Sequence, residues 1–246
     1  MRWRSLAAGV GAYAAALIAM APATLADAWL QGASDGRLRI AEARGTLWSG
    51  AGQLEIRALD GHTGVAKRLA WRLRTDELLR AQLAYEVEFD PRPRAFPVTI
   101  SWSHIALENA DISLPAAALG LGVPELAPLE LTGEVQLQVS RLSIGPSATR
   151  GSATLQWRAA GSARSPVSPL GDYELRLEAE GRTVVATLHT LAGPLQLEGR
   201  GSWANGRRPV FLATARMPPE FQQRLAPFLR LIAVERGDGS FEQQLK

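Results

Sequence analysis

The chain has no cysteine. That absence excludes thiol catalysis, disulfide bracing, zinc sites built on cysteine and thiol redox chemistry. A domain of this length must then be held by burial and backbone pairing alone. Histidine is nearly absent as well. His62, His104 and His189 are far apart in unrelated contexts, and no metal-ligand spacing joins them. Each reads as a surface or sheet-edge residue. Lysine is equally scarce, since only Lys67 and Lys246 interrupt an all-arginine set of bases. The 27 bases face 24 acids, for a net charge of +3. The pI near 9.8 reflects arginine's high pKa rather than a basic surface. No run of five or more bases occurs, so nucleic acid is not an expected partner.

Catalytic signatures are missing too. Ser49 stands in Trp48-Ser49-Gly50, not in a Gly-x-Ser-x-Gly elbow. Gly50-Ala51-Gly52 lacks the following glycine, the preceding apolar strand and the following helix of a dinucleotide site. Glu86 and Glu88 fall on the wet face of a strand and read as surface charge. The expectation is a protein that is not an enzyme and carries no cofactor.

The N-terminus is distinctive. Arg2 and Arg4 precede an uncharged stretch from Ser5 to Ala26. As one helix that stretch would rise about 33 Å, near the hydrocarbon thickness of a bilayer. The flanking arginines would keep its start in the cytoplasm. Residues 1–27 therefore read as a signal-anchor or transmembrane segment, with 28–246 as a periplasmic domain of an inner-membrane, single-pass protein. The same pattern, with small residues at Thr24-Leu25-Ala26 and a break at Pro22, also describes a cleaved signal peptide. Alanine supplies much of the run, and Ala8, Ala12 and Ala16 form a small-residue stripe.

Beyond residue 28 a period of two dominates. Leu69, Trp71 and Leu73 alternate with Ala70 and Arg72. Leu83, Tyr85, Val87 and Phe89 alternate with polar or small residues, as do Tyr173, Leu175, Leu177 and Ala179. These are strands with one apolar and one wet face, the signature of antiparallel sheets. Asp90-Pro91, Ser165-Pro166 and Asn205-Gly206 mark breaks. The phase of the apolar set switches after Val139, and again between Trp102 and Ile105. Switches of this kind predict bulges and a curved, twisted sheet. Trp48, Trp71, Trp102, Trp157 and Trp203 lie in strand-like segments and are expected to fill its core. Short helices are expected over 74–80 and 114–121. The best candidate runs from Pro218 to about Val234, with Phe221, Leu225, Phe228 and Leu229 on one face and a kink at Pro227. It is expected to pack on the sheet.

A faint repeat is present. Gln53-Leu54-Glu55-Ile56, Trp71-Arg72 and Tyr85-Glu86-Val87 resemble Gln136-Leu137-Gln138-Val139, Trp157-Arg158 and Tyr173-Glu174-Leu175 in the same order. Two similar β-units, about 45–125 and 126–217, would account for it.

The most distinctive string is Gly45-Thr46-Leu47-Trp48-Ser49-Gly50, followed by Leu69-Ala70-Trp71-Arg72-Leu73. Ser168-Pro169-Leu170-Gly171-Asp172-Tyr173, then Gly193-Pro194-Leu195-Gln196-Leu197-Glu198-Gly199, then a closing helix before the Gly237–Gly239 turn, complete a series that resembles the type II secretion system protein N family across nearly the whole chain. The resemblance implies an accessory, non-enzymatic component of the secretion machinery. Its partners would be other inner-membrane subunits, with the membrane itself contacted through the N-terminal helix. By residue chemistry alone, Gly45 to Gly50 reads as a short strand between turns, with Trp48 buried beside a glycine. The rival reading is an AsmA-like periplasmic lipid-handling protein, whose partner would be lipid in an open apolar groove. A scaffold would instead close that face with its helix.

Overall fold

A computed structural model of the chain describes residues 2–57, 64–80, 82–90, 92–204, 210–230, 233–236 and 240–245. His62, Pro91, the Asn205-Gly206 break and the Gly237–Gly239 turn lie outside these residues. Two helices, α1 (Arg2–Ala19) and α2 (Thr24–Ala33), precede the sheet. The strands are β1 (Leu38–Gly45), β2 (Ser49–Arg57), β3 (Gly64–Arg74), β4 (Leu83–Phe89), β5 (Arg92–Ile100), β6 (Ile105–Pro115), β7 (Leu131–Ile144), β8 (Thr149–Ser162), β9 (Gly171–Gly181), β10 (Thr183–Ala192), β11 (Gln196–Ala204), β12 (Phe211–Arg216), β13 (Val234–Glu235) and β14 (Phe241–Leu245). Helix α3 (Ala117–Gly122) lies between β6 and β7, and α4 (Pro219–Leu229) between β12 and β13.

Among the described residues the 14 strands form one antiparallel sheet in chain order, except that β14 inserts between β12 and β13. The alternation read from the sequence sets which face is buried. Leu69, Trp71, Val87, Phe89, Phe96 and Val98 contribute to the apolar side at one end of the strand order. Val135, Leu155, Trp157, Leu195, Ala215 and Phe241 contribute at the other. Helix α4 closes the second region. Leu225, Phe228 and Leu229 are buried, as the one-face spacing requires. The helix ends at Leu229, with Pro227 inside its last turn. It therefore ends earlier than the sequence pattern implied.

The sheet bends. The β5 and β6 ladder holds only at Val98–Leu107, Thr99–Ala106 and Ile100–Ile105, after which β6 continues along β7 alone. The Lys67 ammonium on β3 donates to the Ser113 carbonyl on β6. In a flat sheet those strands would lie about 14 Å apart, further than a lysine reaches. Bulges mark β7 at Thr132/Glu134 and Val139/Arg141, where the phase switch predicted one. The other switch is a hairpin instead. Ser101 to His104 turn the chain between β5 and β6, and Trp102 at the tip is 99% exposed rather than in the core. Its neighbours in sequence are serines, so the tip has no apolar partner to fold against.

The N-terminal transmembrane helix is not supported. Among the described residues, no helix is long and apolar enough to cross a membrane. Pro22 divides the uncharged run between α1 and α2. The uncharged part of α1, from Ser5 to Ala19, rises only about 22 Å against the roughly 30 Å of a hydrocarbon core. Alanine lowers its apolarity further. Residues beyond the break belong to the fold. Ala23 is buried against Ile40 and Trp71, and Thr24-Leu25-Ala26 is the first turn of α2. The boundary at residue 27 thus falls inside α2.

The three pairs of repeated strings lie on β2, β3 and β4 and on β7, β8 and β9, five strands apart within one sheet. Connections alternate between two ends of the sheet. One end carries the β1–β2, β3–β4, β5–β6, β7–β8 and β9–β10 turns. The other carries α3, the 163–170 loop, the 193–195 turn and the entry to α4.

Leu225 is 0% exposed and central to the α4 contact. Leu225→Ala is expected to lower the unfolding free energy by about 2–5 kcal/mol in a urea titration. A midpoint unchanged from wild type would show that α4 is not a fixed part of the fold.

Candidate functional site

The residues singled out in sequence come together at one place. Gly45, Thr46, Leu47, Trp48, Ser49 and Gly50 form the β1–β2 hairpin, with Gly45 paired to Gly50 and Gly50 paired in turn to Trp71 on β3. The string is therefore a turn, not a short strand between turns. Thr46 N–H donates to the Ser49 carbonyl (2.9 Å), and the Thr46 hydroxyl accepts from Ser49 N–H (3.2 Å). Trp71 is 7% exposed. Its indole N–H points at the hairpin carbonyls of Leu47 (3.1 Å) and Thr46 (3.3 Å).

That arrangement depends on a residue without a side chain. A Cβ on Gly50 would lie 2.5 Å from the Trp71 Cζ2 and 2.5 Å from the Arg44 carbonyl. The hairpin also holds the N-terminal segment. Ala23 N–H donates to Gly45 O (3.2 Å), Leu47 N–H to Ala21 O (2.8 Å) and the Trp48 indole to Ile18 O (2.8 Å). Trp48 is thus half-buried against backbone, not sealed in the core. Trp71 holds the buried position the sequence reading gave to Trp48.

An apolar groove of about 500 Å³ opens beside this hairpin, lined by Trp29 and Leu30 of α2 and by Leu47, Trp71, Tyr85 and Val98. Helix α2 covers the edge strand as well as the groove. Asp27 Oδ1 accepts from Ile40 N–H (2.7 Å), and the Ser34 hydroxyl accepts from Leu38 N–H (2.9 Å). The β1 edge is therefore capped at two amides that another strand would need. Assigning this segment to the membrane hid α2 from sequence reasoning. Asp27 and Gln31, four apart and hydrogen-bonded (2.8 Å), were the available signal.

A second cluster joins strings far apart in the chain. The Tyr173 hydroxyl donates to Leu195 O (2.9 Å), Leu195 N–H to Leu170 O (3.0 Å) and Leu170 N–H to Ala160 O (2.6 Å). Gly193, at φ +119°, lies so close to Gly171 that a Cβ has no room. Trp157 packs on Tyr173 with ring centroids 5.8 Å apart. Burial raises the Tyr173 pKa, and the nearby Asp172 charge adds to the shift. The cluster borders an apolar cavity of about 230 Å³ under α4. Sequence reasoning flagged both strings but not their contact.

On the opposite face, Gln136, Gln156, Glu174 and His189 lie side by side on β7 to β10. Glu174, 6% exposed, accepts from Gln156 (2.9 Å) and Arg176 (2.7 Å), with His189 3.4 Å away. The Gln156 hydrogen bond, and next the Arg176 contact, hold its carboxyl below its ordinary pKa of 4.5 against the opposing effect of desolvation. Among the described residues, Asp76, held low by Arg74, is another such carboxylate. It sits in the turn after β3, six strands from Glu174, so the two share no cleft. His104 bonds to the Ser101 hydroxyl (2.9 Å) and Ser103 hydroxyl (3.1 Å) of its own hairpin. Among the described residues no group of three or more His, Cys, Asp or Glu is placed to hold a metal. What the molecule offers is surfaces and grooves built on backbone-anchored aromatics.

A family model described as type II secretion system (T2SS), protein N, matches residues 36–243. No curated protein and no solved structure matches the chain. The matched span covers β1 to β13, the start of β14, both aromatic clusters and α4. The AsmA-like alternative finds no support among these comparisons.

Trp71→Ala is expected to cost about 3–5 kcal/mol of stability by urea denaturation, and Trp48→Ala distinctly less. Equal losses would mean that the hairpin hydrogen bonds, not burial of one indole, carry the cluster. The pH dependence has a defined sign. Because the Glu174 pKa is lowered on folding, its contribution is complete above pH 4.5 and is lost as pH falls through the folded value. Thermal unfolding followed from pH 6 to pH 3 should show a smaller acid loss in Glu174→Gln than in wild type; parallel curves would refute the assignment.

Proposed function

We propose that this chain, which belongs to the type II secretion system protein N family, is an accessory component of the secretion machinery in the cell envelope. It supports export of folded proteins through contacts with other subunits rather than by catalysis. The observation that carries this reading is the match over residues 36–243, which takes in β1 to β13 and the start of β14. The side-chain chemistry fits it. Ionisable groups pair into surface salt bridges such as Arg141–Glu108 and Arg164–Glu130, and the Trp71 indole and Tyr173 hydroxyl donate to backbone carbonyls.

The way the sheet is finished bears on how it makes contacts. With β1 capped by Asp27 and Ser34, strand addition there is blocked, and faces and turn regions are left for partners. The hairpin Gly45–Gly50 with Trp71 has a structural role in this scheme, holding the N-terminal segment to the sheet. The two β-units, about 45–125 and 126–217, are part of the same proposal. Each contributes one tryptophan whose indole bonds to a carbonyl of the β-unit it packs in, Trp71 to Leu47 and Trp157 to Thr132.

The test is deletion of the gene followed by fractionation of secreted enzymes. Folded exoproteins should accumulate in the periplasm and fall in the medium, and the intact gene should restore them. Secretion at the wild-type level in the deletion strain would sink the proposal.

A further inference from the structure

Among the described residues, every side chain along α1 is exposed. The helix is tied to the fold at its end, by the Trp48 indole on Ile18 O and by the Pro22–Thr46 bridge. A helix in water owes most of its stability to a packed face, so 18 helical residues standing clear of the sheet call for a cover. The bulky residues of α1 follow one rule. Trp3, Leu6, Val10, Tyr13, Leu17 and Met20 are spaced three and four residues apart in alternation. At 3.6 residues per turn they fall within about 100° of arc, the seam of a coiled coil. Met20 stays in register because its N–H donates to Ala16 O (2.9 Å). Trp3, Val10, Tyr13, Leu17 and Met20 are all exposed. Ile18 is the one large apolar residue off the seam, and its carbonyl is where Trp48 attaches. The rest of the helix is alanine and glycine with Arg2, Arg4 and Ser5. Alanine is apolar but small, so the helix has little polar surface while its bulk lies on one side.

The seam is its own complement. With two copies of α1 antiparallel about a two-fold axis between positions 11 and 12, Trp3 lies opposite Met20 of the second copy. Leu6 then lies opposite Leu17, and Val10 opposite Tyr13. The largest residues meet smaller or more flexible ones, as knobs packing into holes require. Ala7, Gly9, Ala14 and Ala16 flank the seam, and flanks this small let the axes approach to about 8 Å. Charge selects the same direction. Helix α1 has no acid in its first turn and no base in its last, so neither end of its dipole is compensated within the helix. Antiparallel pairing sets Arg2 and Arg4 beside the negative C-terminal end of the other helix. Parallel pairing would crowd four arginines onto two positive helix ends.

We propose that the chain forms a two-fold dimer through α1, the helices of two copies pairing antiparallel along the Trp3–Met20 seam. The two sheets then stand at opposite ends of the helix pair, about 27 Å apart. The dimer contact stands apart from the secretion role.

The absence of cysteine makes the test direct. Single cysteines are placed in the full chain and oxidised. Val10→Cys, on the seam near the axis, should cross-link to itself, and Ala12→Cys, on the outer side of the helix, should not. Trp3→Cys and Met20→Cys should each fail to cross-link alone and should cross-link when mixed before oxidation. By light scattering the wild-type chain should have about twice the 26.5 kDa mass of one copy, and Tyr13→Asp should return it to one. Tyr13 is exposed, so the sheet of that variant should melt as in wild type. A monomeric wild-type chain overturns the proposal. A dimer that survives Tyr13→Asp also overturns it, because such a dimer is made elsewhere. Cross-linking of position 3 to itself and not to position 20 would overturn the antiparallel pairing. A chain that is monomeric in buffer and sediments with phospholipid vesicles would make α1 a lipid-binding segment instead. None of these readouts involves secretion, so the dimer and the secretion role fail independently.

Discussion

The indole N–H of Trp71, aimed at the carbonyls of Thr46 and Leu47, is the contact on which the N-terminal half of the molecule depends. A buried indole must find an acceptor, and the only way to bring a turn carbonyl within reach is to remove the side chain at Gly50. Once the hairpin lies on Trp71, its outward amides and carbonyls take up Ala21 and Ala23. Ala23 then fills the space beside Ile40. One hydrogen bond requirement thus fixes a turn, a chain crossing and the start of α2. The same logic recurs across the sheet, where Tyr173 and Leu195 join the 170 and 195 turns.

These two clusters replace what disulfides do in many exported domains. Each draws a turn or loop distant in sequence onto a strand, and each relies on glycine to permit the approach. Between them the sheet has only side-chain alternation to hold its faces apart, with Phe96, Ala110, Val139 and Ala153 as the central buried group. The narrow β5–β6 ladder and the Lys67 bond to Ser113 show where the sheet bends.

The strands were legible because alternation is a local property: Leu69 to Leu73 and Tyr173 to Ala179 state their own face. The bulge after Val139 was legible for the same reason. The Trp102 segment was misread because a phase change between two strands looks the same in sequence whether the chain bulges or turns back. Residues 5–26 were misread for a different reason. An uncharged run of this length looks like a membrane span in sequence, yet Pro22 divides it and Asp27 lies in the first turn of α2. The motif Gly45–Gly50 could be picked out as unusual, yet its partner Trp71 and its grip on Ala21 and Ala23 are long-range facts. No periodicity encodes them. The protein family was legible from the order of several such strings, which the match over residues 36–243 bears out.

The order of the sheet has a consequence for how the chain assembles. From β1 to β12 every strand pairs with the strand before it in sequence, so each can be zipped onto a finished edge as the chain arrives from its N-terminus. No strand up to β12 waits for a distant one, and loop-closure entropy stays small at each step. Only the last part breaks this rule. β14 must slot between β12 and β13 after α4 has been laid down, so the closing of the core under α4 is the late, non-local step. Until it happens, the growing edge remains open to pairing with the wrong strand, and the exposed interval ends only when Phe241 is buried.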